Sequence, residues 1–403
     1  MLEVLRRGAI SPRVTGGATV AALFAGSTLL TPIYDLYRAS YGFSSLELTS
    51  LYAVYVVGNL TALLALGRLS DQGGRRPVVL AGLALSAVST LLFLFASRSA
   101  TLFAGRALSG CAVGLGSGAA TAWITEAARP DRRAQAASTM TAFNFIGLAL
   151  GSVLAGLLVQ YASWPQRTPF LAYLGVLAAT TGMALLTPET LDPGARAPFS
   201  LKPRLGVPPG ARRSFAAPAA AGFSAMAVVG FYAALGPIMI RQALGVANRA
   251  VAAAMVAELF AVAAIVIVTT RGLRAQPAMR AGLALTPLGL GLLVAAQWRA
   301  SPAWLLAATA VCGAAAALGY RGGLAAANDL APADRRAEVA STYFVCCFLG
   351  NALPIIGVGA LSQLAGERLA DLVFGLGVSA LAACALVWTF VLGGARRRVA
   401  ASV

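Results

Sequence analysis

The chain has 403 residues, of which 59% are hydrophobic and only 11% charged, against about 25% charged in a soluble globular protein. That balance excludes a soluble domain, and the net charge of +17 comes from arginines scattered over many short polar segments, which excludes a nucleic-acid stripe and fits the loops of a polytopic membrane protein. No histidine is present, which excludes a His-based metal site, and Cys111, Cys312, Cys346, Cys347 and Cys384 all lie in apolar runs as packing residues, not as a disulfide frame or metal site.

The basic start, Met1–Arg13, leads directly into an apolar run of spanning length, so no cleavable signal is expected. Twelve spans are predicted, at 17–38, 46–67, 78–97, 100–127, 135–161, 168–187, 215–239, 248–270, 280–297, 302–327, 336–363 and 367–393. Each is close to or above the roughly 20 residues that cross a bilayer. An even number puts both termini on one side. That side collects Arg6, Arg7 and Arg13; Arg68, Arg75 and Arg76; Arg129, Arg132 and Arg133; and Arg396, Arg397 and Arg398, whereas the opposite loops hold isolated arginines. The asymmetry predicts cytoplasmic termini in an inner (plasma) membrane.

Between the second and third spans the chain reads Gly67-Arg68-Leu69-Ser70-Asp71-Gln72-Gly73-Gly74-Arg75-Arg76-Pro77. Its glycines allow a tight turn, and Asp71 can accept hydrogen bonds from Arg75 or from a helix N-terminus. The stretch resembles the signature loop of the major facilitator superfamily, departing from it at Ser70 and Gln72. The resemblance implies a cytoplasmic gate of Gly67, Asp71, Gly74, Arg75 and Arg76, joined by Glu126 from the end of the fourth span.

Four charges within the spans are candidates for function, Asp35, Arg106, Glu258 and Arg321. Arg106, in Gly105-Arg106-Ala107-Leu108-Ser109-Gly110, resembles the family's fourth-helix motif, whose arginine is linked to proton coupling; the alternative is an arginine snorkelling to the headgroups. Asp35 lies at similar depth in the first span. Since both helices line the cavity in the resembled fold, Asp35 either pairs with Arg106 or sits at the interface between belt tyrosines. Glu258 is the lone charge in Ala252–Val268, which suits a proton carrier, a site for a cation, or a helix–helix hydrogen bond. Arg321, flanked by Gly319, Gly322 and Gly323, binds either an anionic group or a helix C-terminus.

The long segment 188–214, rich in Pro, Gly and Arg, reads as a linker between halves 1–187 and 215–403. A repeat supports two halves. Asp131-Arg132-Arg133-Ala134 recurs 203 residues on as Asp334-Arg335-Arg336-Ala337, and Gly110, Gly147 and Gly156 recur as Gly313, Gly350 and Gly359. In the fifth span, Gly147, Gly151 and Gly156 resemble the glycine-rich motif of proton-driven drug exporters, with Ser152 where that motif has proline. These glycines and Gly110 also read as close-packing faces.

No nucleotide loop, nucleophile–base pair or cofactor motif is present, so no enzyme is expected and energy must come from a gradient. The resemblance therefore implies an all-α fold of two pseudo-symmetric six-helix bundles. It also implies a monomeric secondary transporter whose partners are a small-molecule substrate, protons and the bilayer. Export of a hydrophobic or cationic molecule against protons is the leading expectation. The alternatives are proton-coupled uptake of a metabolite or sugar, and a membrane receptor or scaffold that transports nothing.

Overall fold

The computed structural model describes residues 10–129, 132–192, 194, 205–245, 247–332 and 335–401; side chains at 35, 39, 133–135, 137–138, 242–244 and 392–401 are not among those described. The repeat's Asp131 and Asp334, and the linker positions 193 and 195–204, lie outside the described residues. Every regular element among those described is helical, and twelve helices are long and apolar enough to cross a membrane. The chain thus adopts the expected all-α, twelve-span fold. Hydrocarbon supplies no partner for a backbone N–H or C=O, and a helix satisfies both internally.

The long helices are α1 (Pro12–Thr28), α2 (Ser45–Thr61), α3 (Arg75–Leu94), α4 (Ser99–Glu126), α5 (Arg133–Tyr161) and α6 (Thr168–Leu186). They continue as α7 (Arg212–Leu244), α8 (Arg249–Thr269), α9 (Ala275–Arg299), α10 (Pro302–Asp329), α11 (Arg336–Ala365) and α12 (Glu367–Ala401). Local chemistry sets several ends. Ser11 accepts the Arg13 N–H at 3.4 Å, and Pro12 starts α1. Ser44 and Glu47 form a reciprocal capping box at α2, with Ser44 N–H donating to Glu47 Oε2 at 2.8 Å and Glu47 N–H to Ser44 Oγ at 3.2 Å. α7 extends a few residues past its expected span at both ends, and Pro218 and Pro237 sit inside it without breaking it; packed neighbours can absorb the freed carbonyls.

The chain forms two compact units. The first holds Met1–Phe43, Ser50–Pro203 and Val246–Ala264. In it α1 packs on α4, α5 and α6, and α3 on α4 and α6. The second holds Ser44–Thr49, Arg204–Gly245 and Ile265–Val403. There α7 packs on α10, α11 and α12, and α9 on α10 and α12.

The repeat reappears as helix boundaries. α4 and α10 begin and end at equivalent positions, and so do the starts of α5 and α11. The residues before those starts share a backbone conformation, Arg132 at φ −108°, ψ 3° and Arg335 at φ −112°, ψ 5°.

Small residues set the closest helix contacts. On α5, a Cβ at Gly147 or Gly151 would collide with the Ala21 and Ala25 carbonyl oxygens of α1. Thr28 Oγ1 donates to the Leu148 carbonyl at 2.9 Å across the same seam. Ser152 Oγ donates to the Ala253 carbonyl of α8 at 3.1 Å, and Gly156 lies against that alanine. Gly110 of α4 abuts the Tyr55 carbonyl of α2. If the α1–α5 seam is as tight as this, Gly151→Ala lowers stability by about 1–3 kcal/mol through overpacking. Gly175→Ala on α6, where a Cβ meets open space, is neutral or stabilising. Thermal unfolding in detergent measures both, and equal midpoints would contradict the close approach.

Candidate functional site

The loop between α2 and α3 holds the densest polar cluster. α2 leaves as a π turn over Ala62–Leu66, a short helix covers Leu69–Gly73, and Gly74 at φ +104° turns the chain into α3. That positive φ is costly for any residue with a Cβ. The turn buries the Arg75 side chain, which is 8% exposed. Its Nη1 donates to Ser70 Oγ at 2.8 Å and Asp71 Oδ1 at 2.5 Å, and its Nη2 to Glu126 Oε1 at 2.6 Å. The structure thus brings Asp71, Arg75 and Glu126 together. Arg76 takes part through its backbone N–H, and Gly67 closes the π turn.

Glu189, just beyond α6, completes the cluster and was not among the expected gate residues. Its Oε1 accepts the Arg75 N–H at 3.0 Å and its Oε2 the Arg76 N–H at 2.9 Å, so a carboxylate caps the positive end of α3. Its neighbours hold it there. Thr187 bonds Thr15 of α1 at 2.6 Å, Trp123 of α4 donates to the Pro188 carbonyl at 3.0 Å, and Thr190 donates to Glu126 Oε2 at 2.7 Å. Partial desolvation pushes the Glu189 pKa up. The backbone N–H groups of Leu191, Arg76, Arg75 and Thr190 outweigh it and hold the carboxyl below its usual range. The only sequence signal for this role was the Pro188-Glu189-Thr190 triplet closing the sixth span.

Arg106 is fully buried on α4. It donates from Nη1 to the Ser27 carbonyl at 2.9 Å and from Nη2 to the Tyr34 hydroxyl. Its guanidinium carbon lies 5.5, 5.9 and 5.8 Å from the ring centres of Tyr34, Tyr52 and Tyr55, within cation–π range. Arg106 therefore sits inside the protein, not at the headgroups. Its Nε–H and the Tyr37 hydroxyl are buried without a hydrogen-bond partner among the described residues. Asp35 lies in the short helix Tyr34–Tyr41, but its side chain is outside the described residues, so the expected pairing is left open.

Glu258 is half-buried on α8, and its Oε2 is buried without a hydrogen-bond partner among the described residues. Arg321 of α10 reaches the carbonyls that follow α8, donating to Arg271 O at 3.3 Å and Leu273 O at 3.5 Å. These acceptors belong to the turn just beyond Thr269, where α8 ends. A further membrane acid escaped the sequence reading: Asp371 of α12 accepts from Gln297 Nε2 of α9 at 2.8 Å. Unlike Glu258, Asp371 follows two other charges, Glu367 and Arg368, at the start of its helix, so the sequence does not set it apart. The second unit also contains an apolar cleft of about 320 Å³ between α7, α11 and α12, lined by Phe223, Pro354, Val358, Phe374 and Leu381 among others.

Residues 17–353 match the Major Facilitator Superfamily. An uncharacterized transporter of Rickettsia bellii is 31% identical over 147 residues, a match that spans 36% of each chain. The multidrug resistance protein MdtL of Salmonella typhi is 26% identical over 342 residues, 80% of this chain and 82% of MdtL. Two solved structures share the fold. A bacterial homologue of the human lysosomal transporter Spinster, inward-facing and unoccupied, aligns with a TM-score of 0.67 at 15% identity over 94% of each chain. The nucleoside transporter NupG aligns with a TM-score of 0.72 at 13% identity, over 94% of this chain and all of NupG.

Two outcomes follow from the loop cluster. Arg75→Ala strands Asp71 and Glu126 and costs on the order of 1–3 kcal/mol, read as a lower unfolding midpoint; Glu126→Gln, which keeps one acceptor, costs less. For Glu189 the folded pKa is depressed. Its stabilisation is then present above the ordinary carboxylate pKa of about 4.3 and lost as pH falls through the depressed value. The stability difference between wild type and Glu189→Gln should accordingly be constant near neutrality and shrink on acidification below that range. A difference that grows on acidification would contradict the assignment.

Proposed function

Because the chain belongs to the Major Facilitator Superfamily, and is thus a multi-pass membrane transporter and not an enzyme, we propose that it exports small hydrophobic or cationic molecules in exchange for protons. The observation that carries the coupling is Glu258. One of its oxygens is buried without a partner in an otherwise uncharged stretch of α8, and such an oxygen is costly unless a proton, water or cation visits it. In this reading the carboxyl takes a proton when its surroundings open outward and gives it up when they open inward, and a cationic substrate competes for the same oxygens. The multidrug resistance protein among the relatives supports export over uptake. The apolar cleft of the second unit suits a hydrophobic body.

Alternating access operates between the halves 1–187 and 215–403, with 188–214 as the cytoplasmic linker. The arginine excess on the side of both termini supports cytoplasmic termini, and the bacterial relatives support an inner membrane. In this scheme Asp71, Arg75, Glu126 and Glu189 form the cytoplasmic latch, and Arg106, with Asp35, sets the charge balance on the outer side.

The test is flux into liposomes driven by a pH gradient, with a panel of cationic and neutral hydrophobic substrates. Wild type should accumulate substrate only with the gradient imposed. Glu258→Gln should lose gradient-driven accumulation to background while keeping the elution profile of folded protein. Gradient dependence equal to wild type in Glu258→Gln would remove Glu258 from coupling and move that role to Asp35.

A further inference from the structure

At one corner of the second unit the ends of three helices meet: the start of α7, the start of α9 and the late turns of α12. They are joined by a small-residue core that includes Ala217 and Ala221 of α7, Met279 and Leu283 of α9, and Ala382 and Ala385 of α12. Directly above this core sits a set of cations and interfacial aromatics. Arg280 of α9 donates from Nε to Thr389 Oγ1 at 3.0 Å and from Nη2 to the Thr389 carbonyl at 3.1 Å. Its guanidinium lies 4.5 Å from the centre of the Phe390 ring. Phe390 is 58% exposed and Trp388 39% exposed. The Trp388 indole N–H donates to the Arg213 carbonyl at 3.1 Å, which ties α12 to the start of α7, where Arg212 and Arg213 present exposed side chains.

Among the described residues no acid pairs with these charges. The sequence contains no Asp or Glu from 205 to 257, from 259 to 328, or beyond Asp371. Among the described residues, Arg280 is held by a threonine and a ring. α12 continues through Arg396, Arg397 and Arg398, which adds positive charge farther along the same helix. A tryptophan and a phenylalanine on the exposed flank of a spanning helix mark headgroup depth. Fixed arginines at that depth, with no carboxylate to pair, match phosphate in charge and in guanidinium geometry.

We propose that Arg280, Arg212 and Arg213, with Trp388 and Phe390, form a docking site for the headgroup of an anionic phospholipid of the leaflet on the side of the termini. Arg280 is oriented by Thr389 and Phe390, leaving Nη1 for a phosphate oxygen. Arg212 and Arg213 supply the surrounding field, and Trp388 and Phe390 cover the glycerol and upper acyl region. This site depends only on membrane insertion, not on the substrate or the coupling ion, so a failed flux assay leaves it standing.

The experiment uses the delipidated full chain, with native mass spectrometry and thermal unfolding after adding back phosphatidylglycerol, cardiolipin, phosphatidylcholine or inorganic phosphate. Wild type should retain the anionic lipids and unfold at higher temperature with them, and respond little to phosphatidylcholine or phosphate. Because Arg212 and Arg213 are exposed, R212Q/R213Q should fold normally while losing anionic-lipid retention by about fivefold per charge removed. Arg280→Gln should lose more, and Arg280→Lys should recover part of the loss. Equal retention of phosphatidylcholine, unchanged retention in R212Q/R213Q and Arg280→Gln alike, or full stabilisation by inorganic phosphate would each overturn the lipid site.

Discussion

Hydrocarbon offers a protein neither water nor hydrogen-bond partners, and this constraint organises the chain. It forces every spanning segment into a helix. It also removes the contrast that drives packing in water, so association rests on close approach and on the few polar groups that cross between helices. The seam between α1 and α5 shows both devices, with Gly147 and Gly151 against α1 carbonyls and Thr28 bonded to the Leu148 carbonyl. The second unit repeats the first device at the matching place, where Gly350 of α11 abuts the Phe223 carbonyl of α7. Gly82 against Gly116, and Gly282 against Gly319, do the same for α3 with α4 and α9 with α10.

The same constraint ranks the charges inside the spans. Arg106 is supplied with a carbonyl, a hydroxyl and three tyrosine faces, an arrangement that holds a permanent cation in place. Asp371 has an amide partner in Gln297. Glu258 keeps a buried oxygen with no partner among the described residues. A buried oxygen without a partner is costly unless a proton, water or cation visits it, which is why the proposed coupling role falls on Glu258 and the proposed charge-balancing role on Arg106.

Much of this was legible because membrane proteins write their fold in long apolar runs and short charged loops. The twelve spans, the loop of Asp71 and Arg75, and the lone Glu258 all stand out against an apolar background. What stayed hidden depends on chain segments meeting in space. Glu189 caps α3 only because the residues after α6 fold back over α4. The tyrosines around Arg106 come from the short helix after α1 and from α2 and carry no sequence mark of a shared partner. Arg321 could be placed at depth, but its acceptors are loop carbonyls, which every residue has. Asp371 follows Glu367 and Arg368 and so reads as part of a charged helix start, and only its bond to Gln297 of α9 sets it apart.

The two units use one scaffold but tie its loop end differently. In the first, the loop before α3 is clamped by a buried guanidinium, three carboxylates and a capped helix start. In the second, the equivalent loop after α8 is held by Arg321 through two long bonds to carbonyls, at 3.3 and 3.5 Å. Asp329, which matches Glu126 in the repeat, makes no ion pair among the described residues. Charge-assisted bonds at 2.5–2.6 Å are roughly twice as strong as neutral ones, so opening the first loop costs more than opening the second. In the proposed transport cycle, the first unit's loop is then the costlier of the two to open. The second unit's loop, held by neutral carbonyl acceptors, is the cheaper one, and the proposed anionic lipid would supply negative charge that the second unit's own sequence omits.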